Sequence, residues 1–490
     1  MRNFLDSNTR RKVELLITLN KEDGLGFEEL SRRLHVSRPT IFRDVEEIQE
    51  KFQEWQLTEA ELKTKKATVY FVVNTDYSIH QIFLNYLEEN LNYQALVEIF
   101  HSGSINLKDF AKKHFVSYNS LYKKLSSKNK LLKNFDLKFV TNKQAELAGN
   151  ERQLRFFYSE FFWYSYSGIK WPFPNISRQS LKKLIKPIEL IRGKKLGFVE
   201  KEKILYDLAV FMSRIQQGHF IPTAILRHEI LKDNPNFDYF DQLLKPLFAK
   251  FVPKATKMQA KSENAFLYVF LFAEEYHLKD NKTVGDLLFY CQTHQLQAVE
   301  ITNQWFQMVY QNFSMNASAE EYSLLYTNLV HKHVKALTFK GAGSLSGIDL
   351  SSSIYLHPEV TPQAEYLFKQ LYERHPILLK NKDFLEENYR FLIGQYIKQK
   401  RKNLSICVLS VFGEEFTGII KHRAFQGMDI DVDVSGTINK DTDLVVTDRK
   451  YEHIDFDPKK ILYWESIPTK QSIFRIQNFI HQNFGFSQER

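Results

Sequence analysis

The sequence has only two cysteines, Cys291 and Cys407, among its 490 residues. Two cysteines exclude a cysteine-rich zinc site and argue against a disulfide framework, which favours a reducing compartment. Long apolar runs are scarce as well. The longest, residues 265–273, ends at two glutamates and is too short to cross a bilayer as a helix. Residues 1–6 lack the apolar core of a signal peptide. These absences predict a soluble, cytoplasmic protein without a membrane partner.

Apolar residues make up 43% of the chain and charged residues 26%, as in an ordinary globular protein. This composition excludes a disordered chain, a collagen-like chain and a small disulfide scaffold. At about 100–200 residues per domain, the length predicts about three to five domains.

Positive charge is concentrated in one segment. Residues 101–150 contain ten lysines and three acidic residues, a net charge of +7, whereas residues 1–50 contain nine basic and ten acidic residues. A concentrated positive segment is typical of a protein that binds a phosphate backbone, although a solvated lysine-rich face would have the same composition. The helix-turn-helix motifs around this segment favour the phosphate-backbone partner.

The first helix-turn-helix pattern occupies residues 9–48. Apolar residues recur at helical spacing on both sides of a glycine break, and Ser37 can cap the next helix. The string around Ser37 resembles the N-termini of bacterial regulators such as the DeoR and BglG-type activator groups. In such motifs the start of the second helix reaches base edges in the major groove. We therefore predict that Arg38, Thr40 and Arg43 contact DNA.

Residues 63–73 are β-branched and aromatic after a lysine cluster, which predicts a strand that serves as a wing.

A second copy of the motif lies about 80 residues further along the chain. Residues 30–42 align with residues 110–122, and this copy carries the segment of net charge +7. Asparagine is suited to reading adenine and lysine to holding phosphate. The outward-facing residues predicted to bind DNA here are Tyr118, Asn119, Ser120, Lys123 and Lys124. Residues 135–143 are predicted to form a second wing, and residues 77–100 a single long helix joining the two copies.

Residues 151–395 are predicted to be almost wholly helical. Two amphipathic helices, over 203–217 and 322–337, share a layout, which indicates two related all-helical domains with a boundary near residue 286.

From about residue 400 the pattern alternates strands with helices, which predicts a parallel α/β sheet. Strands are expected at 404–410, 428–434, 443–447 and 460–463, and helices at 417–425 and 472–484. The segment resembles the EIIB components of sugar phosphotransferases, in which a cysteine just after the first strand accepts phosphate. Here Ser410 takes that position, Cys407 lies inside the strand, and Glu414 and Glu415 would repel phosphate. The resemblance therefore implies a degenerate domain that serves partner contact or dimerisation rather than catalysis.

Two helix-turn-helix modules followed by paired helical domains resemble the Mga/AtxA group of PRD-containing regulators of Gram-positive bacteria, and the order of the whole chain fits. The resemblance implies a multidomain, mainly α fold. Its parts are a first winged helix-turn-helix in residues 1–75, a second in 76–150, PRD-like domains in 151–285 and 286–398, and the EIIB-like domain in 399–490. It also implies phosphorylation of histidines by the phosphocarrier HPr of the phosphotransferase system, and a homodimer or higher oligomer.

The phosphoacceptor histidines of typical PRDs have no clear counterpart here. The first typical position holds no histidine, and residues 265–272, the place of a second, contain none. The resemblance leaves His219, His331 and His333 as candidate phosphorylation sites, with His228 a lesser one, and a structural role is open for each. His331 and His333 stand two residues apart on a helix and would point to different faces, so at most one would serve and they would not share a metal ion.

These patterns predict a transcription regulator without enzymatic activity, cofactor or metal, which binds double-stranded DNA, HPr and a second copy of itself. Two alternatives stay open. A phosphotransferase relay protein would need phosphate-binding glycines near Ser410, where the sequence offers Gly413 and Gly418. A PRD-type RNA antiterminator would need a small RNA-binding module, which the two helix-turn-helix copies do not resemble. RNA-binding proteins usually stack unpaired bases on aromatic side chains, and the sequence motif of such a module is not found here.

Overall fold

The computed structural model describes residues 1–75, 77–141, 144–191, 195–253, 255–274, 289–290, 292–312, 318–346, 360–396, 404–411, 424–425, 432–451 and 454–484. Two compact units divide the chain. The first comprises residues 1–313 and 317–396, and the second comprises residues 314–316 and 397–490.

The first unit begins with a winged helix-turn-helix, module 1. Its elements are α1 (Ser7–Asn20), β1 (Leu25–Gly26), α2 (Phe27–Arg33), α3 (Arg38–Glu54), β2 (Ala60–Lys65) and β3 (Thr68–Val73). The three strands form an antiparallel sheet in the order β1-β3-β2. Leu30, Ile41 and Ile48 are fully buried, as their helical spacing predicts. The single strand predicted over residues 63–73 is wrong, because Lys66 and Ala67 take positive φ angles of 46° and 66° and turn the chain into a hairpin.

Module 2 repeats this arrangement. Its elements are α4 (Ile79–Glu89), α5 (Leu91–Ser102), α6 (Leu107–Lys113), α7 (Tyr118–Ser127), α8 (Asn129–Leu132), β4 (Lys138–Thr141) and β5 (Ala145–Ala148). The single long helix predicted over residues 77–100 is wrong. Asn90 has a ψ of 124° and ends α4, while its side-chain oxygen accepts hydrogen bonds from the N–H groups of Asn92 and Tyr93 and so caps α5. The predicted second wing is an antiparallel β4–β5 hairpin, of which residues 142–143 lie outside the described residues.

The 80-residue repeat extends to the backbone. His35 and Phe115 occupy the turn before each recognition helix, α3 or α7, and both have a left-handed φ, of 52° and 53°. A short bridge also precedes α2 and α6 at equivalent places, since Leu25 pairs with Val69 and Ile105 pairs with Ala145. The two modules therefore share the position of the turn as well as their apolar spacing.

In the described part of residues 151–396 every regular element is a helix, joined by irregular loops such as residues 167–177 and 217–222, in agreement with the prediction of an almost wholly helical region. Its first half contains α9 (Glu151–Tyr166), α10 (Arg178–Lys182), α11 (Ile185–Ile191), α12 (Phe198–Gln216), α13 (Pro235–Phe251) and α14 (Lys257–Ala273). Its second half contains α15 (Gln297–Asn312), α16 (Ala319–Thr338), α17 (Val360–Arg374) and α18 (Lys382–Tyr396). The helix α9 packs against α12, and α14 packs against α16 across the two halves. The boundary predicted near residue 286 lies outside the described residues.

A buried ionic cluster also joins the two helical halves. The Glu274 carboxylate, just after α14, lies 2.7 Å from Lys203 Nζ on α12 and 2.6 Å from Lys335 Nζ on α16. Burial alone would raise the pKa of the Glu274 carboxyl, but the two lysines lower it. Because the lysines lie on helices of different halves, these buried ion pairs connect the two halves through the Glu274 carboxylate.

The second unit contains a parallel sheet of β6 (Leu404–Leu409), β7 (Val432–Ser435), β8 (Leu444–Thr447) and β9 (Ile461–Tyr463), followed by α19 (Lys470–Phe484). The strand order is β7-β6-β8-β9, and every neighbouring pair is parallel, as the alternating pattern predicts. Residues of β6 and β8 form its core together with Trp464 and Ile480. The predicted helix over 417–425 lies outside the described residues except for Ala424 and Phe425. Across the described parts of both units, helices that could span a bilayer are absent.

Candidate nucleic-acid interface

The recognition helix of module 1 presents two of its predicted DNA-binding residues to solvent. The side chains of Arg38 and Arg43 on α3 are 58% and 64% exposed. Thr40 is only half-buried, and its hydroxyl oxygen lies 2.8 Å from the Ser37 hydroxyl at the helix N-terminus. The surface is therefore accessible to a partner at all three positions.

The exposed arginines of module 1 have acidic neighbours. Arg38 lies 3.3 Å from the Glu28 carboxylate, and Arg43 lies 3.6 Å from Glu47. An arginine that binds phosphate or guanine must first lose its ion pair with the neighbouring glutamate, which offsets part of its attraction to DNA. Module 1 is consequently a weaker electrostatic surface than its number of arginines suggests.

The recognition helix of module 2 has a different charge arrangement. All five residues predicted on α7 are exposed: Tyr118, Asn119, Ser120, Lys123 and Lys124. Within the part of the chain that the structure describes, Lys123 has no carboxylate within 4.0 Å. Lys124 also lines a cleft of about 220 Å³ between the two modules, where Asp6 and Lys12 of module 1 are among its neighbours. Module 2 therefore combines the highest local positive charge with a freely available lysine.

Three exposed aromatic residues of this surface were missed by the sequence analysis. Phe42 on α3 is 52% exposed, Tyr122 on α7 is 41% exposed, and Phe115 in the turn before α7 is 97% exposed. Phe42 and Tyr122 were aligned in the repeat, and each lies four residues after the first residue of its recognition helix. That spacing places them on the same helical face as Arg38 and Tyr118, and it is the signal that could have found them.

The wings add further positive charge. Lys65 and Lys66 are exposed at the tip of the β2–β3 hairpin, and Lys138 is exposed at the start of β4. In module 1 the wing lysine Lys63 lies 2.7 Å from Glu61. Each module thus has a recognition helix and a hairpin, the two elements with which winged helix-turn-helix proteins contact a duplex, and the hairpin of module 1 is the more basic in the residues described.

A segment after α16, residues 339–346, ties module 2 to the helical body. Asp136 of module 2 forms ion pairs with Lys340 and with Lys380, the latter at 3.0 Å. The ring of Phe339 stacks on Phe156 of α9 at 4.5 Å between centroids. Gly341 has a φ of +79°, and a Cβ there would lie 2.8 Å from the Phe135 ring. The body and module 2 are therefore in close contact through a segment that directly continues α16.

Among the candidate phosphorylation sites, His219 is exposed. It lies in the loop after α12, which buried side chains hold in place. Arg155 is fully buried on α9 and donates to the His219 carbonyl oxygen at 2.8 Å, and it pairs with Glu263 at 2.5 Å. Glu263 in turn accepts a hydrogen bond from the Ile221 N–H at 2.8 Å. Burial, and then the nearby Arg214, lower the pKa of the His219 imidazole.

The His219 loop also contacts module 2. The Gln217 side chain donates hydrogen bonds to the carbonyl oxygens of Phe100, at 2.8 Å, and of His101, at 3.4 Å, near the end of α5. Glu146 of β5 is among the charges that act on the His219 imidazole. A change of charge at His219 would therefore occur beside both the end of α5 and the wing of module 2.

The other candidate histidines lie inside the molecule. His331 is 4% exposed, and its Nδ1 lies 2.5 Å from the carbonyl oxygen of Phe272. His333 is fully buried, with Nδ1 2.8 Å from the Thr302 hydroxyl and Nε2 2.8 Å from the Tyr389 hydroxyl. Burial lowers the pKa of His333 to about 3. His228 is partly buried, and its pKa is lowered to about 4, again mainly by burial. In this arrangement HPr could not reach the rings of His331 and His333.

In the second unit, the position expected for a phosphate acceptor faces a carboxylate. Ser410 follows β6, and its hydroxyl lies 3.4 Å from Asp448, which follows β8. Asp448 also accepts a hydrogen bond from the Val411 N–H at 3.1 Å. Cys407 is fully buried in β6, and burial raises the pKa of its thiol to about 11. The positions of Glu414, Glu415, Gly413 and Gly418 lie outside the described residues.

The chain is similar in sequence to a family of helix-turn-helix domains and to several bacterial regulators. The Mga helix-turn-helix domain family matches residues 75–162, which include module 2 and most of α9. A putative trans-acting regulator of Streptococcus pneumoniae serotype 4 (strain ATCC BAA-334 / TIGR4) is 23% identical over 50% of this chain and 48% of its own length. The capsule synthesis positive regulator AcpB of Bacillus anthracis is 21% identical over 65% of this chain and 64% of its own. The anthrax toxin expression trans-acting positive regulator of the same organism is 24% identical over 47% of each.

The chain thus spans about half to two thirds of the length of the curated relatives it matches. The resemblance to the Mga/AtxA group of regulators is confirmed by the matched domain family and by these relatives.

Proposed function

We propose that the chain is a cytoplasmic, DNA-binding transcription regulator that contacts duplex DNA with both winged helix-turn-helix modules. The observation that carries the proposal is the repeated geometry of the two modules. Each exposes the start of a recognition helix and has an antiparallel hairpin, and module 2 adds a segment of net charge +7. The names of the curated relatives, which are regulators, support the same conclusion.

The proposal is tested by binding of the full-length protein to duplexes selected from a random library by the wild-type chain. We expect the triple variant Arg38→Ala, Arg43→Ala, Lys123→Ala to bind the selected duplex at least tenfold more weakly, since two exposed arginines and an exposed lysine are lost.

A matched control removes the same number of positive charges from the helical body, by Lys232→Ala, Lys245→Ala and Lys257→Ala, at three exposed positions away from the modules. The control should retain most of the affinity. Equal affinity of the wild-type and triple-variant proteins would contradict the proposal. Stronger competition by RNA hairpins than by duplex DNA would favour the antiterminator alternative instead.

We further propose that HPr regulates the protein by phosphorylating His219. His219 is exposed, whereas His331 and His333 are buried. Its lowered pKa favours the neutral imidazole, which is the nucleophilic form. The added phosphate would carry roughly two negative charges close to Glu146 and the α5 end, and so would shift module 2 by repulsion.

Incubation with phosphoenolpyruvate, enzyme I and HPr, followed by mass spectrometry of a neutral-pH digest, tests this step. Label is expected on the peptide that contains His219 and is lost in His219→Gln, whereas His228→Gln keeps it. Label on His331 or His333 would contradict the assignment. Absence of label on every histidine would remove the regulatory proposal and leave DNA binding intact.

For the second unit, we propose a degenerate EIIB-like domain that mediates contact between copies in a homodimer or higher oligomer. The Asp448 carboxylate already accepts the Val411 N–H where a phosphate loop would offer its donors, which supports partner contact over phosphoryl transfer. Sedimentation equilibrium of the full chain should give a mass of twice 58.0 kDa or more. A monomer at every concentration would contradict this part.

A further inference from the structure

The two recognition helices carry an exposed aromatic residue at the same place. Phe42 of α3 and Tyr122 of α7 are separated by the 80-residue repeat, and they are 52% and 41% exposed. A single exposed aromatic residue on a protein surface needs no explanation. An exposed aromatic residue that recurs one helical turn into both recognition helices does need an explanation. This face of the helix is the part of the motif that enters the major groove.

Both rings are supported on one side. The Phe42 ring lies 5.7 Å from the ring of Phe27, the first residue of α2. The Tyr122 ring lies 6.2 Å from that of Tyr118, with an angle of 18° between their planes. These contacts hold each ring against its module while leaving the opposite side uncovered. Two pre-oriented rings lose little conformational entropy when a partner covers them.

Each ring is followed directly by a cation on the same helix. Arg43 follows Phe42 and is 64% exposed, and the exposed Lys123 follows Tyr122. The cation can hold phosphate or a guanine edge, so the neighbouring ring would be brought against base edges in the groove. The major groove offers one apolar group to such a ring, the C5 methyl of thymine.

We propose that Phe42 and Tyr122 are specificity-determining residues that each pack against a thymine methyl group in the major groove. The proposal rests on the proposed DNA-binding function, and it names thymine as a base that both recognition helices would recognise. It also gives the two modules a shared base preference despite their different charges.

The test replaces thymine by uracil, one position at a time, in a duplex selected by the wild-type protein. Uracil keeps base pairing and removes only the methyl group. At two contacted thymines we expect a loss of affinity of about fourfold each, the effect of one methyl group's burial. Phe42→Ala should abolish the uracil effect at one of these positions and Tyr122→Ala at the other. Each variant should keep the effect at the position read by the other module.

The matched control is Phe198→Ala, which removes an aromatic residue that is 77% exposed but lies at the start of α12 in the helical body. It should leave both uracil effects unchanged. Circular dichroism of each variant checks that the modules remain folded, as expected for changes at exposed positions.

The outcomes separate this inference from the function on which it rests. Wild-type binding that is insensitive to uracil at every position overturns the thymine proposal and leaves DNA binding in place. Uracil effects that persist unchanged in Phe42→Ala and in Tyr122→Ala also overturn it. Failure of the wild-type protein to bind any duplex removes both proposals together.

Discussion

The buried imidazole of His333 makes a specific prediction about stability in acid. Thr302 donates its hydroxyl proton to the Ala298 carbonyl oxygen at 2.7 Å, so its oxygen is left to accept from His333 Nδ1. His333 Nε2 then accepts from the Tyr389 hydroxyl. Both nitrogens are satisfied in the neutral form, and a proton on Nε2 would require the Tyr389 hydroxyl to turn and give up the acceptor of its own proton. Burial without a counter-charge at either nitrogen lowers the pKa to about 3.

The sign of the effect follows from proton linkage. In the unfolded chain a histidine titrates near 6.5, so the unfolded state takes up the proton first as pH falls. The stability contributed by the neutral ring is therefore present above about pH 6.5 and is lost progressively towards pH 3. Between pH 7 and pH 5, linkage with these two pKa values gives a loss of about 2 kcal/mol in the free energy of unfolding.

Urea unfolding of the wild-type chain and of His333→Gln at pH 7 and pH 5 measures this contribution. The variant loses one hydrogen bond and should be less stable than wild type by about 1–2 kcal/mol at pH 7. At pH 5 it should be as stable as wild type or slightly more stable, because only wild type loses stability there through the buried neutral imidazole. The informative quantity is the difference between the two pH values, which should be smaller in the variant by about 2 kcal/mol. The exposed His35→Gln provides the control and should keep the wild-type difference. An equal pH dependence in His333→Gln and wild type would refute the reasoning.

Three further changes test other parts of the molecule. Lys123→Ala should reduce the slope of log Kd against log salt concentration by about 1, because one phosphate contact is lost; an unchanged slope would place that lysine off the DNA. Arg155→Met should lower the free energy of unfolding by about 3–5 kcal/mol, since it leaves the buried Glu263 carboxylate without its cation, whereas Glu151 keeps Arg214. In urea unfolding, the double variant with Glu263→Leu should lose less stability than the sum of the two single changes, and strict additivity would contradict this. Gly341→Ala combines a positive φ with an aromatic contact and should lower Tm more than Gly103→Ala, whose φ is +82° but whose Cβ would meet nothing within 4 Å; equal Tm values would argue against a tight contact there.

The helix-turn-helix modules were predictable because their signals are local. Ser37 and Ser117 stand at helix N-termini, and the apolar residues around them recur at helical spacing. The parallel sheet of the second unit was predictable for a similar reason, since the sequence pattern alternates predicted strands with predicted helices.

Two predictions of secondary structure were inaccurate, at Asn90 and at the turn of the first wing, where the spacing of apolar residues gave no sign of a break. The apolar spacing runs through Asn90 without interruption, so nothing in the periodicity showed that its side chain ends one helix and caps the next. The wing turn at Lys66 and Ala67 has neither glycine nor asparagine, the residues that usually mark such a hairpin. In both cases the geometry depends on a few backbone angles and hydrogen bonds that the spacing of apolar residues does not record.

The sequence by itself determined the two helix-turn-helix modules, their 80-residue repeat, the concentration of lysine in module 2 and the resemblance to the Mga/AtxA group. Each of these depends on residues close together in the chain. Only the tertiary structure decided which histidine is accessible. His219 is exposed in a loop held by Arg155, whereas His331 and His333 lie on a helix that other helices cover on more than one side. A helix surrounded in this way buries residues on different faces, and its own sequence cannot specify where its neighbours will pack.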